Sequence, residues 1–260
     1  MSRTYVITGA ASGIGKATAE LLTERGHRVI GVDLRGTDID ADLSTPEGRA
    51  SMVAAVTDMS RGTIDAVIAN AGLATPTAAT VAVNYFGAVA TLEGLRPLLT
   101  GSAAPRAVAT ASMASLFPPD DALLDLLLAG DEAGALARGA ELEAAGGEAG
   151  NLIYGTTKRA LARWIRRNAP TAEWAGAGIA LNAIAPGVVA TPMTADFTGT
   201  TEAREAILQM VPMPLNGIFE PRDVAYLLGW LASKENAHLC GQVVFIDGGS
   251  DAVIRGDSTW

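Results

Sequence analysis

Scarcity sets the first limits on this 260-residue chain. Cys240 is its only cysteine, which excludes an intramolecular disulfide and a cysteine-built zinc site and suits a reducing compartment. Its two histidines, His27 and His238, lie too far apart in sequence to suggest a metal cluster, so no metal is expected. The chain has 19 basic residues against 28 acidic ones, a net charge of -9, with no basic cluster beyond Arg163, Arg166 and Arg167. Nucleic acid is therefore not an expected partner, because such binding rests on neutralising phosphates. The longest apolar region, "AGAGIALNAIAPGVVATPM", is broken by Asn182, Pro186 and Pro192 and makes a poor membrane span. The start, "MSRTYVITGA", runs into a strand-like segment without the apolar region of a signal peptide. These features predict a cytoplasmic protein with no membrane partner.

Apolar residues, by contrast, are plentiful. With 49% hydrophobic and 18% charged residues, the chain can bury a substantial core, and its length suits one α/β domain over residues 1–260. Short β-branched runs alternate with longer helical segments, the pattern of βαβ units feeding a parallel sheet. Strands are predicted at Thr4–Thr8, Arg28–Val32, Ile39–Asp42, Ile64–Ala69, Ala107–Ala111, Ile179–Ala185 and Val243–Ile246. Helices are predicted at Gly13–Arg25, Pro46–Met59, Val81–Leu99, Leu152–Ala169 and Pro221–Ala232. The expected fold is a single-domain, Rossmann-like, doubly wound parallel sheet of about seven strands. Residues 116–150 stand apart: Leu123, Leu124, Leu127 and Leu128 recur at helical spacing, Gly130 interrupts, and an alanine-rich segment follows. Two short inserted helices are expected there.

"TGAASGIG" joins the first strand to the first helix. Gly9, Ser12, Gly13, Ile14 and Gly15 would meet a pyrophosphate at the helix N-terminus, where amides supply donors and glycines allow close approach. A tight turn with no ligand uses the same glycines, so the motif decides little by itself. Asp33, with Leu34 after it, ends the second strand where a carboxylate can accept hydrogen bonds from an adenosine ribose. The same charge would repel a 2′-phosphate by about 4 kcal/mol at 4 Å and an effective dielectric near 20. NAD is thus expected over NADP, although Arg35 could serve a phosphate. "ADL" places Asp42 and Leu43 near an adenine, and "IANAG" places Asn70, Ala71 and Gly72 at the end of the fourth strand. Strand ends of one edge make a shared crevice.

Tyr154 and Lys158 in "YGTTK" are one helical turn apart and share a face. A phenol titrates near 10, and an ammonium about 4 Å away could lower that by about three units, making a usable acid or base. Ser112, ending the fifth strand in "TASMAS", can orient a substrate oxygen.

With these residues in place, the chain resembles the short-chain dehydrogenases/reductases over nearly its whole length: "TGAASGIG", Asp33, "NAG", Asn84 in "VNYFG", Ser112, "YGTTK", Pro186-Gly187 and "IDGG" fall in the family's order. The resemblance implies a catalytic tetrad of Asn84, Ser112, Tyr154 and Lys158. It implies that Tyr154 moves the proton, Ser112 holds the reacting oxygen, Lys158 binds nicotinamide ribose, and Asn84 holds a water linking Lys158 to solvent. Pro186, Gly187, Val189 and Thr191 complete the implied cofactor set. "ADLSTPEGR", "VNYFGA", "GEAGNLIYG" and "IDGGSDAVIR" are similar to the bacterial 3α-hydroxysteroid dehydrogenase/carbonyl reductase branch. Ala69 departs from the family's usual "NNAG", and Ser112 and Tyr154 stand 42 residues apart where shorter relatives have about a dozen.

The segment after Pro186-Gly187, about residues 188–216, resembles the family's substrate loop. Met193, Phe197, Met210 and Met213, with Met113, Leu116 and Phe117, would offer an apolar wall to a small hydrophobic alcohol or ketone, steroids foremost, or would simply pack the core. The expected activity is NAD-dependent interconversion of a secondary alcohol and a ketone. A homo-oligomer is expected, a dimer favoured: the insertion would cover a surface relatives use for pairing, or else cap the substrate cleft. Two rivals remain at this point, a non-catalytic nucleotide sensor on the same fold and a nucleotide-sugar epimerase or dehydratase, whose glycine turn is normally spaced TGxxGxxG.

Overall fold

A computed structural model describes residues 2–257. Seven strands form one sheet in the order β3-β2-β1-β4-β5-β6-β7, every pairing parallel. In chain order the elements are β1 (Thr4–Thr8), α1 (Gly13–Glu24), β2 (Arg28–Asp33), β3 (Ile39–Asp40), α2 (Pro46–Ser60), β4 (Ala66–Ala69), α3 (Ala78–Val81), a π-helical segment (Ala82–Gly87) and α4 (Ala88–Leu99). There follow β5 (Arg106–Thr110), α5 (Asp121–Ala129), α6 (Glu132–Ala145), α7 (Gly147–Asn168), β6 (Ala180–Pro186), α8 (Ala195–Thr198), α9 (Thr201–Met210), α10 (Pro221–Leu231), β7 (Val243–Ile246) and α11 (Ser250–Arg255).

Strand residues alternate between two cores, as a period of two requires. Val6, Val67, Ala69, Ala107, Ala109 and Ala183 face α2, α4 and α7 through Met52, Val56, Leu92, Leu95 and Leu161. Their neighbours Tyr5, Ile7, Ala66, Ile68, Val108 and Ile184 face α1 and α10 through Leu22, Val224, Leu228 and Leu231. The helices start where local chemistry starts them. Thr45 accepts the Gly48 amide at 3.0 Å ahead of Pro46, and Glu220 and Asp223 form a reciprocal capping box ahead of α10.

Four boundaries differ from the expectations by two residues or more. β3 stops at Asp40, because Asp42 turns the chain by accepting both the amide and hydroxyl of Ser44. β4 starts at Ala66, since the Ile64 amide bonds to Leu98 rather than to the sheet. The helix expected from Val81 starts at Ala78 and widens into a π-segment carrying Asn84. The Tyr154 helix starts at Gly147, so the last four residues assigned to the insertion form its first turn.

The insertion does form two helices, capped by Asp120 and Asp131. Leu123, Leu124, Leu127, Ala135 and Leu142 bury against the core that includes Tyr85, Phe86 and Ile153. Polar ties fix it to both neighbouring helices: the Asp120 amide donates to Thr156 Oγ1 at 2.9 Å, and Glu143 accepts the Ala78 amide at 2.8 Å. None of its residues lines the cleft described below, so of the two placements expected for it, the covering of α7 is the one observed.

Candidate active site

The sheet order reverses between β1 and β4, and in such sheets ligands bind outside the carboxyl ends of the strands at that point. A cleft of about 510 Å³ opens there. Gly9 and Gly13 have φ of +71° and +53°, values that L side chains resist. Ser12 gives α1 no side-chain cap, so the first-turn amides keep their donors for a ligand. Asp33 is oriented by two amides, Oδ2 accepting from Ala11 at 2.9 Å and Oδ1 from Leu34 at 2.7 Å. Thr8 and Thr110 position Asn70: Thr8 Oγ1 accepts the amides of Asn70 and Ala71 at 3.0 and 3.1 Å, and Thr110 Oγ1 donates to Asn70 Oδ1 at 3.1 Å. Gly9, Ser12, Gly13, Ile14, Asp33, Leu34, Asp42, Leu43, Asn70, Ala71 and Gly72 all line the cleft, as do Pro186, Gly187, Val189 and Thr191. A turn with glycines at Gly9 and Gly13, uncapped helix amides and an oriented carboxylate fit a nicotinamide dinucleotide.

The reactive groups meet at the other end, where Ser112, Tyr154 and Lys158 line the same cleft. Ser112 is the N-cap of a short 3₁₀ turn, Met113–Leu116, its Oγ accepting the Ala114 amide at 3.1 Å. Burial raises the Tyr154 pKa above the ordinary phenol value of 10.0, and a hydrogen bond with Ser112 pulls it back down. Lys158 Nζ lies 5.8 Å from the Tyr154 ring centroid and donates to the Thr110 carbonyl at 2.8 Å. Its own burial pushes it from 10.5 to about 8. The hydrogen bond with Ser112 offsets part of the rise that burial imposes on the phenol, while Lys158 is itself desolvated and bonds a backbone carbonyl.

Several expected residues lie outside the cleft lining. Gly15 serves packing, since a Cβ there would sit 2.0 Å from Gly9 O. Asn84 is fully buried, its amide spent on the Leu73 amide (2.8 Å), the Leu73 carbonyl (2.9 Å) and Thr157 Oγ1 (3.3 Å), so it braces the loop after β4. Gly72 separates it from Lys158: a Cβ there would lie 3.1 Å from Asn84 Oδ1 and 3.4 Å from Lys158 Nζ. Of the expected apolar wall only Met193 lines the cleft. Met113 and Met213 pack with Val211 in a small core, Val188 donating its amide to Met213 Sδ, while Phe117, Phe197 and Met210 are exposed and Leu116 is half-buried. Unbranched thioethers fill irregular gaps, which explains their use beneath the loop. Sequence reasoning missed Val32, Ala41, Ser44, Leu73, Ala79, Val83, Thr110, Ala111, Pro192 and Thr194. Thr110 alone carried a signal, as a hydroxyl at a strand's carboxyl end.

A family model described as enoyl-(acyl carrier protein) reductase matches residues 9–251. A 3-alpha-hydroxysteroid dehydrogenase/carbonyl reductase from Comamonas testosteroni is 38% identical over 96% of this chain and 97% of its own length. A cis-4-hydroxycyclohexanecarboxylate dehydrogenase from Sinomonas cyclohexanicum is 32% identical over 96% and 97%. The crystal structure of the 3-alpha-hydroxysteroid dehydrogenase from Pseudomonas sp. B-0831 complexed with NADH superposes with a TM-score of 0.88 at 39% identity, covering 98% of this chain and 99% of that one. The chain belongs to the short-chain dehydrogenase/reductase family. Relatives of this class are oxidoreductases, and this chain stands close to the hydroxysteroid dehydrogenase/carbonyl reductases.

Proposed function

We propose that the chain, acting as one domain, interconverts a secondary alcohol and a ketone with NAD as the hydride carrier. The observation that carries this reading is that Ser112, Tyr154 and Lys158 line the same cleft as the glycine turn and the Asp33 carboxylate. NAD supplies the hydride acceptor in oxidation, and its reduced form the donor in reduction. Tyr154 takes the hydroxyl proton as the alcohol is oxidised, or returns it to the ketone oxygen. Ser112 holds that oxygen beside the phenol. Lys158, anchored by Thr110, presents its ammonium to the cofactor's ribose side of the cleft. Asn84 holds the Leu73 loop in place. The enoyl description of the family model names reduction of a carbon–carbon bond; a hydroxyl pair that binds oxygen supports the carbonyl reaction instead.

Asp33, fixed by two amides, supports NAD over NADP, and Arg35 is exposed and absent from the cleft lining. Met193, Pro192, Val83 and Ala79 give the inner cleft an apolar lining that suits a hydrophobic substrate such as a 3-hydroxy- or 3-oxosteroid or another xenobiotic carbonyl. The reading includes a cytoplasmic homodimer. The covered face of α7 and the exposed Tyr226 and Trp230 of α10 support pairing away from α7. NADH oxidation with a panel of steroid and aromatic ketones tests the activity. Tyr154→Phe should lower kcat on the order of 10²- to 10⁴-fold with NADH affinity retained; normal turnover would reject the tyrosine, and cofactor binding without any turnover by the parent protein would favour a sensor.

A further inference from the structure

Next to the Tyr154–Lys158 pair, displaced by one residue, runs a second pair at the same spacing: Gly155 and Arg159. Both face the 3₁₀ turn Met113–Leu116 that Ser112 caps. The Arg159 guanidinium donates to two successive carbonyls at the end of that turn, Nε to Ser115 O at 2.8 Å and Nη2 to Leu116 O at 3.2 Å. Carbonyls at the end of a helical turn lack helical partners, and a cation there is favourably placed. One turn earlier, Gly155 lets the backbones approach: a Cβ on it would lie 3.1 Å from Ala114 O. Ala114 is the residue whose amide Ser112 Oγ accepts. The turn is thus seated on α7 at one point by the absence of a side chain and at another by a two-pronged hydrogen bond.

We infer that Arg159 is a positioning residue, which with Gly155 fixes the Ser112 turn against α7 so that the serine hydroxyl meets the Tyr154 phenol. Ser112 and Tyr154 are separated in sequence by the insertion, so the covalent chain between them does little to set their distance. A direct clasp across the gap does that work. The inference rests on the reading of Ser112 and Tyr154 as the reacting pair.

Loss of the clasp should act on chemistry by moving Ser112 from Tyr154, and so removing the hydrogen bond that offsets part of the burial-driven rise of the phenol. The other titratable groups lining the cleft are Lys158 on the same helix, and Asp33 and Asp42 at least three strands away across the sheet. None of them is altered by the change.

The test compares Arg159→Met, Arg159→Lys, Ser112→Ala and the double variant Ser112→Ala/Arg159→Met, each with NAD and an oxidisable alcohol. In Arg159→Met, kcat should fall by about 10- to 100-fold with the KM for NAD little changed, as misplacement of a reacting group predicts. The acid limb of its kcat profile should move up by roughly half to one pH unit. Arg159→Lys, which keeps a cation and one donor, should recover part of both effects. In the double variant, Arg159→Met should add nothing to the profile of Ser112→Ala. A folded Arg159→Met with parental kcat and profile would overturn the inference, as would an additive shift in the double variant. Should Arg159→Met not fold, parental kinetics in Arg159→Lys together with an unshifted profile would do the same. If Tyr154→Phe remained active, the proposed reaction would fall; if it were inactive while Arg159→Met behaved as parent, only the positioning role would.

Discussion

On the β1–β2–β4 side of the cleft, Gly9, Asp33 and Asn70 are held by backbone approach and by hydrogen bonds to main-chain amides. Across from them, Met193, Phe197 and Met210 of residues 188–216 stand 46, 52 and 71% exposed, and α9 buries none of its residues. The first side is fixed largely through backbone atoms, so its demands fall on where side chains must be small or absent. The second meets solvent through apolar side chains, and many apolar residues would serve there.

The contrast can be broken most forcefully at Gly15. Gly15→Ala puts a methyl 2.0 Å from Gly9 O and 2.7 Å from Asn70 Nδ2, backbone and a twice-bonded amide that cannot step aside. A loss of about 3 kcal/mol or more is expected in denaturant unfolding, with NAD affinity lost alongside. Lys158 comes next. Its folded pKa of about 8 lies below the ordinary 10.5, so between those values the unfolded chain binds more protons and stability rises with pH. Below pH 8 the buried ammonium withholds about 3 kcal/mol. Lys158→Met should therefore be inactive yet more stable than the parent at pH 7, with the gap closing toward pH 10.5; a gap independent of pH would contradict the burial argument. Asp33→Ala removes the charge that repels a 2′-phosphate, and NAD/NADP selectivity in kcat/KM should fall by about tenfold or more. Unchanged selectivity would remove Asp33 from the ribose site. Smallest is Phe197→Ser, exposed and outside the cleft lining, which should change stability by less than about 0.5 kcal/mol, leaving cofactor affinity intact.

What could be read from sequence follows the same division. All seven strands and the helices α1, α2, α4, α7 and α10 were legible because parallel strands are continuous apolar runs and glycines and prolines punctuate them. The β1–β4 side was legible because its residue types answer to geometry: a left-handed φ at Gly9, a strand-end carboxylate at Asp33. The loop wall was not. Met113 and Met213 look like ligand contacts and are core, since a thioether carries no mark of which side of a loop it faces. Asn84 was found, but its protein partners were not legible, because they are the backbone of Leu73, eleven residues away, and a hydroxyl on another helix. The burial that raises the Tyr154 pKa and lowers that of Lys158 likewise needed the third dimension.

The two helices between β5 and α7 also bear on how the sheet closes. Pairing β6 with β5 requires the chain between Thr110 and Ala180 to return on itself. Loop-closure entropy grows only as the logarithm of length, so the roughly 30 residues of α5, α6 and their flanks add about 0.5 kcal/mol to that return. The apolar surface they bury through Leu123, Leu124 and Leu127 exceeds this several-fold, at about 1.5 to 3 kcal/mol per fully buried leucine. In polymer terms, the junction after Ser112 is a place where added chain raises the loop-closure cost of this sheet very little.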